Sequence, residues 1–434
     1  MSDTIYALSS APGRAGVAVV RVSGPAAAAV FRGFCGALPE PRKASLRSLT
    51  GPDGAVIDQA LVLWFPGPAS FTGEDVVEFH VHGGRAIVGK LLDAIGMIGG
   101  TRPAEPGAFA RRAVESGKLD LLQAEALIDL VDAETDAQRR QALGQYGGGL
   151  SSLYEGWRVA LLRALAWAEA EIDFSDEELP VDLRRRTSEQ VSDTINEIDR
   201  HLLDSRRGEL VRDGIYLTVI GPPNAGKSSL VNALARRDVA IVAETAGTTR
   251  DIIEVRLDIG GYEVIVADTA GLREAADAVE SEGVRRALAR AAQSDLVVLL
   301  LDASSTDPRA GLPPDARADL IVWNKIDLPS PAIRVGLKLS LRTGEGIDKL
   351  LGEIGKIVTT RLQPANESPV LTRARHRHAL TEAVEALRRS LEAEAPELFA
   401  EELRLAVRAI GRITGRVDVE DLLDVVFRDF CIGK

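Results

Sequence analysis

The segment GPPNAGKS, Gly221–Ser228, constrains the fold of this chain more than any other stretch. Its pattern, G-x-x-x-x-G-K-[ST], works only between a strand and a helix. IYLTVIG runs into it as a strand, and the residues after it carry helical spacing. The glycines let backbone N–H groups turn toward a phosphate, and the helix start adds positive potential. Lys227 reaches the β and γ phosphates, and Ser228 offers its hydroxyl to magnesium. The contact set expected of this loop is Asn224, Ala225, Gly226, Lys227, Ser228 and Ser229. Taken alone, it leaves ATP open as the ligand.

Three further segments, in chain order, narrow the ligand to GTP. AETAGTTRD contributes Ala243, Glu244, Thr245, Ala246, Gly247, Thr248 and Thr249, and one of the two adjacent threonines, Thr249 by preference, caps the magnesium opposite Ser228. DTAG supplies Asp268, Thr269, Ala270 and Gly271 at a strand end. Asp268 sits where magnesium needs an outer carboxylate, and the Gly271 N–H senses the γ-phosphate. NKID brings Asn324, Lys325 and Asp327; the aspartate accepts two hydrogen bonds from guanine that adenine cannot offer. Ser340, Leu341 and Arg342 close over the guanine oxygen.

The hydrolytic machinery is less complete. The position after DTAG is Leu272, which cannot orient water as the glutamine of Ras-like GTPases does. Glu280 is a candidate to hold a bridging water, against the reading of an exposed helix-start glutamate. Arg250 and Arg273 lie near the site, but neither occupies an evident arginine-finger position. Asn224 has two readings: it caps the loop, or it offers an oxygen to a monovalent cation together with carbonyls of the 243–248 segment.

At 434 residues the chain exceeds one ordinary core. Residues 1–118 read as mixed α and β, with strands at 17–24, 60–65 and 75–84 and a helix over 86–100. From Leu119 to about Arg207 the pattern is helical. Residues 214–360 alternate strand and helix, with a hairpin at Gly260–Gly261 and strands LVVLLLD, LIVWNK and IRVGLKL, which implies a mostly parallel sheet. Helical texture returns from Thr372. The α/β unit is therefore expected to be inserted into a helical domain. A net charge of -12 argues against a general nucleic-acid coat, so any RNA contact is local or shared with a partner. Two cysteines, Cys35 and Cys431, fit a reducing cytoplasm. No signal peptide is evident at the N-terminus, and the longest apolar runs are strand-length, too short for a bilayer.

Together these residues resemble the MnmE (TrmE) family of tRNA-modification GTPases. The resemblance rests on APGRAGVAVVRVSG, FTGEDVVEFHVHGG, SGKLDLLQAEALIDL, GPPNAGKSSLVNALA, ETAGTTRDIIE, DTAGLRE, NKID and the terminal FCIGK, and it spans essentially the whole chain. It implies an α+β folate-binding-like and dimerising domain at 1–118. It further implies an all-α domain from 119–209 and 361–434, with a Ras-like P-loop G domain inserted at 210–360. The implied activity is potassium-dependent GTP hydrolysis in a cytoplasmic homodimer without membrane contact. With a flavin-containing MnmG (GidA) partner in a heterotetramer, it would modify carbon 5 of the wobble uridine of tRNA. The product would be an aminomethyl or carboxymethylaminomethyl group, its carbon drawn from 5-formyl- or methylene-tetrahydrofolate. Carried onto this sequence, potassium falls to Asn224, Ala243, Thr245 and Thr248, magnesium to Ser228 and Thr249, and catalysis to Glu280. Folate contacts fall to Arg21, Glu78, Lys118 and Lys434, and Cys431 becomes a candidate reactive residue beside the reading of a small buried side chain. Alternatives are a ribosome-assembly or RNA-binding regulatory GTPase, and a folate-dependent one-carbon transferase with a regulatory GTPase attached.

Three further features are read from the residues themselves. His80 and His82 share a strand face, but nothing completes a zinc set with them, so they read as structural or pocket-lining. Cys35 reads as core. Arg404, Arg408, Arg412 and Arg416 recur every four residues, as a solvated face or a tRNA backbone contact, with Gly411 and Gly415 leaving the helix's continuity open.

Overall fold

The structure, a computed structural model, describes residues 3–173, 183–203, 206–237, 239–241, 254–267, 289–313, 316–330, 335–362, 369–417, 423, 426–427 and 433. In chain order its strands are β1 (Thr4–Leu8), β2 (Ala18–Ser23), β3 (Ser45–Thr50), β4 (Val56–Phe65), β5 (Val76–Val81), β6 (Thr101–Pro103), β7 (Ile215–Ile220), β8 (Glu254–Ile259), β9 (Tyr262–Ala267), β10 (Leu296–Asp302), β11 (Leu320–Asn324) and β12 (Leu337–Lys338). The helices are α1 (Ala27–Cys35), α2 (Arg85–Gly96), α3 (Ala108–Glu115), α4 (Leu121–Val131), α5 (Asp136–Tyr146), α6 (Gly149–Asp173), α7 (Leu183–Leu202), α8 (Arg207–Asp213), α9 (Lys227–Ala235), α10 (Ile347–Leu362), α11 (Ala374–Glu392) and α12 (Pro396–Thr414). They assemble into two compact units, Met1–Ile128 with Gln145–Ile195 and Ala379–Lys434, and Asp129–Gly144 with Asn196–His378.

The first unit holds a six-stranded sheet of order β3-β4-β5-β2-β1-β6, antiparallel except where β1 meets β6. Alternation sorts its side chains. Val20, Val22, Val77, Phe79 and Val81 point to one face and pack on Phe31 and Phe34 of α1 and Leu91 and Ile95 of α2. Phe31 stacks on Phe79 and Phe34 meets it edge-on, with centroids 6.2 and 6.0 Å apart. Cys35 packs at the margin of this core, and burial pushes its thiol up to about 11, which leaves it protonated and inert. The opposite face buries Ile5, Ala7, Ala104 and Phe109. In the same unit α6 and α12 pack along each other. Gly411 lies inside α12, and the helix ends at Gly415, whose φ of 79° gives the left-handed cap that glycine tolerates best. Arg416 therefore falls beyond the helix. Arg404 pairs with Glu169 and Glu401, and Arg412 with Glu382.

The second unit holds a sheet of order β12-β11-β10-β7-β9-β8, parallel except for the β8–β9 hairpin. Every residue of β10 from Leu296 to Leu301 is buried, as a strand covered on both faces requires. Leu217, Val219, Val298, Leu300 and Val322 feed one core, and Ile220, Val297, Leu299 and Leu301 feed the other. The turn glycines Gly260 and Gly261 have φ of 67° and 84°, the pair of positive values a two-residue hairpin needs. The expected strand IRVGLKL shrinks to Leu337–Lys338 among the described residues.

The chain leaves β7 for the β8–β9 hairpin on one side and returns to β10 on the other, so the loop after β7 sits at the sheet's switch point, where open α/β sheets bind ligands. That loop starts at Gly221, where an added Cβ would lie 2.2 Å from the Leu300 carbonyl oxygen. Gly221→Ala is expected to force β7 and β10 apart and lower stability by about 1–3 kcal/mol, read as a lowered denaturation midpoint.

Candidate nucleotide-binding site

The carboxyl ends of β7, β10 and β11 lie side by side, with Leu299 paired to Ile220 and Asp302 to Asn324. Between β7 and α9 the loop turns through two left-handed residues, Asn224 at φ 61° and Gly226 at φ 103°. At Gly226 a Cβ would lie 2.5 Å from Asn324 Nδ2, so the loop can approach β11 only as glycine. The Lys227 ammonium donates to the carbonyls of Gly221 and Pro222, both at 2.9 Å, and so lies across the loop it belongs to. Ser228 is in the first turn of α9, where the free N–H groups gather.

Asn324 joins the loop to the base-reading segments. Its buried amide donates to the Ala225 carbonyl at 2.8 Å and accepts from the Leu341 N–H at 3.2 Å. Lys325, at φ 65°, turns back to pair with Asp302 at 2.6 Å. Burial raises the Asp302 carboxyl, but Lys325 and Ser304 outweigh it and hold the group below its ordinary value. Asp327 accepts from the Ser340 hydroxyl at 2.6 Å and meets Arg342 at 2.9 Å. The Ser340 hydrogen bond, aided by Arg342, keeps its carboxyl below the usual range, so it is a double acceptor at neutral pH.

The structure thus brings together Asn224–Ser229, Asn324–Asp327 and Ser340–Arg342. Asp302 was not singled out by its sequence, because a strand-end aspartate carries no motif. Ala243–Thr249, Arg250, Asp268–Gly271, Leu272, Arg273, Glu280, Cys431 and Lys434 lie outside the described residues.

A second polar cluster occupies the first unit's sheet, on the face that carries Phe109. Arg21 and Glu78 are cross-strand partners and form an ion pair at 2.9 Å, their side chains 21% and 16% exposed. Phe71 and Phe109 flank the Arg21 guanidinium at 5.5 and 5.6 Å, two aromatic neighbours that spacing alone did not reveal. His80 contacts Glu78 at 3.2 Å, whereas His82 follows the strand and binds Asp58 at 2.8 Å. Gly433 comes back to β1, its carbonyl accepting from the Ser9 hydroxyl at 2.7 Å. Lys118 is exposed beyond α3, and no contact among the described residues joins it to Arg21 or Glu78.

Asp327→Asn replaces a double acceptor with a group that donates. A base bearing a carbonyl in place of the guanine amino group, as in xanthine, would then fit better. The expected result of competition binding is a preference reversed toward xanthosine diphosphate by about 100-fold or more.

Residues 4–118 match the family described as GTP-binding protein TrmE N-terminus, and residues 121–431 match the MnmE helical domain. The chain is 54% identical to the tRNA modification GTPase MnmE of Parvibaculum lavamentivorans, with 100% of both chains covered. It is equally 54% identical to that of Paramagnetospirillum magneticum, again over 100% of both. Among solved structures, the G domain of the T. maritima FeoB iron transporter aligns with 34% of this chain and 99% of its own at 24% identity and a TM-score of 0.26. With both terminal segments and the whole length matched in this way, the chain belongs to the MnmE (TrmE) family of GTPases.

Proposed function

We propose that this chain hydrolyses GTP in the service of tRNA modification, at carbon 5 of the wobble uridine. The observation that carries the reading is the guanine-selective acceptor Asp327 held beside a phosphate loop by Ser340 and the Asn324 amide. The relatives' shared name, tRNA modification GTPase, supports the substrate. In this reading the segments 1–118, 119–209 with 361–434, and 210–360 are the N-terminal, helical and G domains.

The donor set of the phosphate loop suits two cations. Ser228 gives the hydroxyl oxygen a hard magnesium ion takes, with Thr249 as its second protein ligand. Asn224, exposed and held in a left-handed turn, gives an amide oxygen suited to potassium, joined by Ala243, Thr245 and Thr248. A cation there supplies the positive charge an arginine finger supplies elsewhere. Lys227 covers the same phosphates, and Glu280 holds water where Leu272 cannot.

Arg21 and Glu78 suit a folate in kind. A carboxylate pairs with ring N–H groups of a pterin, and the Arg21 cation, flanked by Phe71 and Phe109, suits an acidic tail. Lys118 and Lys434 extend the basic side. Gly433 is held at the end of β1 by the Ser9 hydroxyl, and Cys431 stands two residues before it in the sequence. A homodimer, a flavin-containing MnmG partner and a cytoplasmic setting complete the reading. Among the described residues no helix is long and apolar enough to cross a membrane.

Two measurements test it. Hydrolysis is expected to run at least about 10-fold faster in potassium than in sodium, the scale of one well-placed charge in the transition state; equal rates would remove the cation from the mechanism. Mass analysis of wobble uridine in cells lacking this protein should show the modification gone, restored by the wild-type chain and not by Cys431→Ser. Intact modification without the protein would overturn the tRNA role, and rescue by Cys431→Ser would make the thiol structural.

A further inference from the structure

Resting on the GTPase reading, we propose that Gln138, acting through Glu263, is a positioning residue for hydrolysis: it holds the entries of β7 and β9 in register so that their far ends present the phosphate loop and the DTAG segment together. Gln138 lies on α5, in the second unit, and is 8% exposed. Its amide nitrogen donates to Glu263 Oε2 at 2.7 Å and to the Arg212 carbonyl at 3.2 Å. Its amide oxygen accepts from the N–H groups of Glu134 and Thr135 at 2.9 and 3.0 Å. Every polar atom of the side chain is therefore engaged, and its rotamer is fixed from both ends.

The partners are not scattered. Glu263 is the second residue of β9, and Arg212 is the penultimate residue of α8, three residues before β7 opens at Ile215. β7 and β9 are parallel neighbours, Ile215 opposite Val264. One amide thus spans the amino ends of two adjacent strands. Their carboxyl ends, about 20 Å away at a strand's rise per residue, run into Gly221 and Asp268. The hairpin turn is held as well, since the Ala137 N–H, in the first turn of α5, donates to the Gly261 carbonyl at 3.1 Å. β8 shares the restraint. Its Arg256 pairs with the other oxygen of Glu263 at 2.9 Å, and Glu254, opposite Ala267, stands three residues after the AGTTRD segment ends. Glu263 is 4% exposed, so a carboxylate that loses the Gln138 donor inside this junction shifts toward another partner and carries the strand with it.

The function follows from geometry. Hydrolysis requires the phosphate loop and the DTAG backbone to face one γ-phosphate, and misplacement by about 1 Å costs about 100-fold. Binding of the nucleotide rests on the loop, Lys227 and the base reader, which this junction does not touch. Loosening the junction should lower turnover and leave affinity alone.

The test uses the full chain and steady-state GTP hydrolysis, with GDP affinity measured in parallel. Gln138→Leu keeps volume and removes the donors; kcat should fall about 10-fold while KM and GDP affinity stay within about twofold. Glu263→Gln keeps the side-chain shape, should show the same split, and carries the test by itself if Gln138→Leu does not fold. Gln141→Leu, one turn along α5, deletes a comparable hydrogen bond to the Gly208 carbonyl without touching the hairpin, and should hydrolyse at the wild-type rate. Wild-type kcat in both Gln138→Leu and Glu263→Gln, or an equal loss in Gln141→Leu, would overturn the proposal. A wild-type chain that hydrolyses no GTP would overturn the functional reading, and this proposal with it.

Discussion

The nucleotide site depends on one buried side-chain amide. Asn324 closes β11 and is 2% exposed, with its nitrogen on the Ala225 carbonyl and its oxygen on the Leu341 N–H. These two bonds join three loops that are distant in sequence, namely the phosphate loop, the NKID turn and the Ser340–Arg342 turn. Aspartate at this position would set a carboxylate against a carbonyl, and an aliphatic residue would strand two buried backbone groups. The loops themselves are shaped by glycine. Gly226 can meet Asn324 because it has no Cβ, and Gly221 can pass Leu300 for the same reason. The sheet beneath them packs apolar side chains on both faces and so offers the loops a rigid base.

The two sheets solve different problems with the same alternation. In the second unit both faces are covered, and chemistry is confined to strand ends. In the first, one face is packed against α1 and α2, which leaves the other face free to carry the Arg21–Glu78 pair between strands. That pair sits beside Phe71 and Phe109, which reduce water around it and strengthen it relative to a surface ion pair.

The core of this architecture was readable because it is repetitive. LVVLLLD and IYLTVI can be little other than buried strands, and each motif gained meaning from the strand before it. β1, β3 and β6 were not read. TIYAL is short, SLRSLT is largely polar on an edge, and TRP carries a proline. α1 and α3 were not read either: each carries an apolar face, Val30, Phe31 and Phe34 in one and Phe109, Ala110 and Ala113 in the other, but over only nine and eight residues. IRVGLKL was overread because apolar residues flank Gly336, whose φ of 126° takes the chain out of strand geometry. Gly411 left α12 open in the sequence, but there an added Cβ would lie 2.9 Å from a Val417 methyl, so close packing rather than a break explains the glycine. The Gln138–Glu263 contact was invisible for a different reason: its partners are 125 residues apart and both are ordinary polar side chains.

The central claim is that Asn324 makes phosphate binding and base recognition a single event. Calorimetry of GDP binding to Asn324→Ala in the full chain tests it most directly. Loss of two buried hydrogen bonds predicts affinity lower by about 10- to 100-fold, with the fold retained. Affinity equal to that of the wild-type chain would contradict the account.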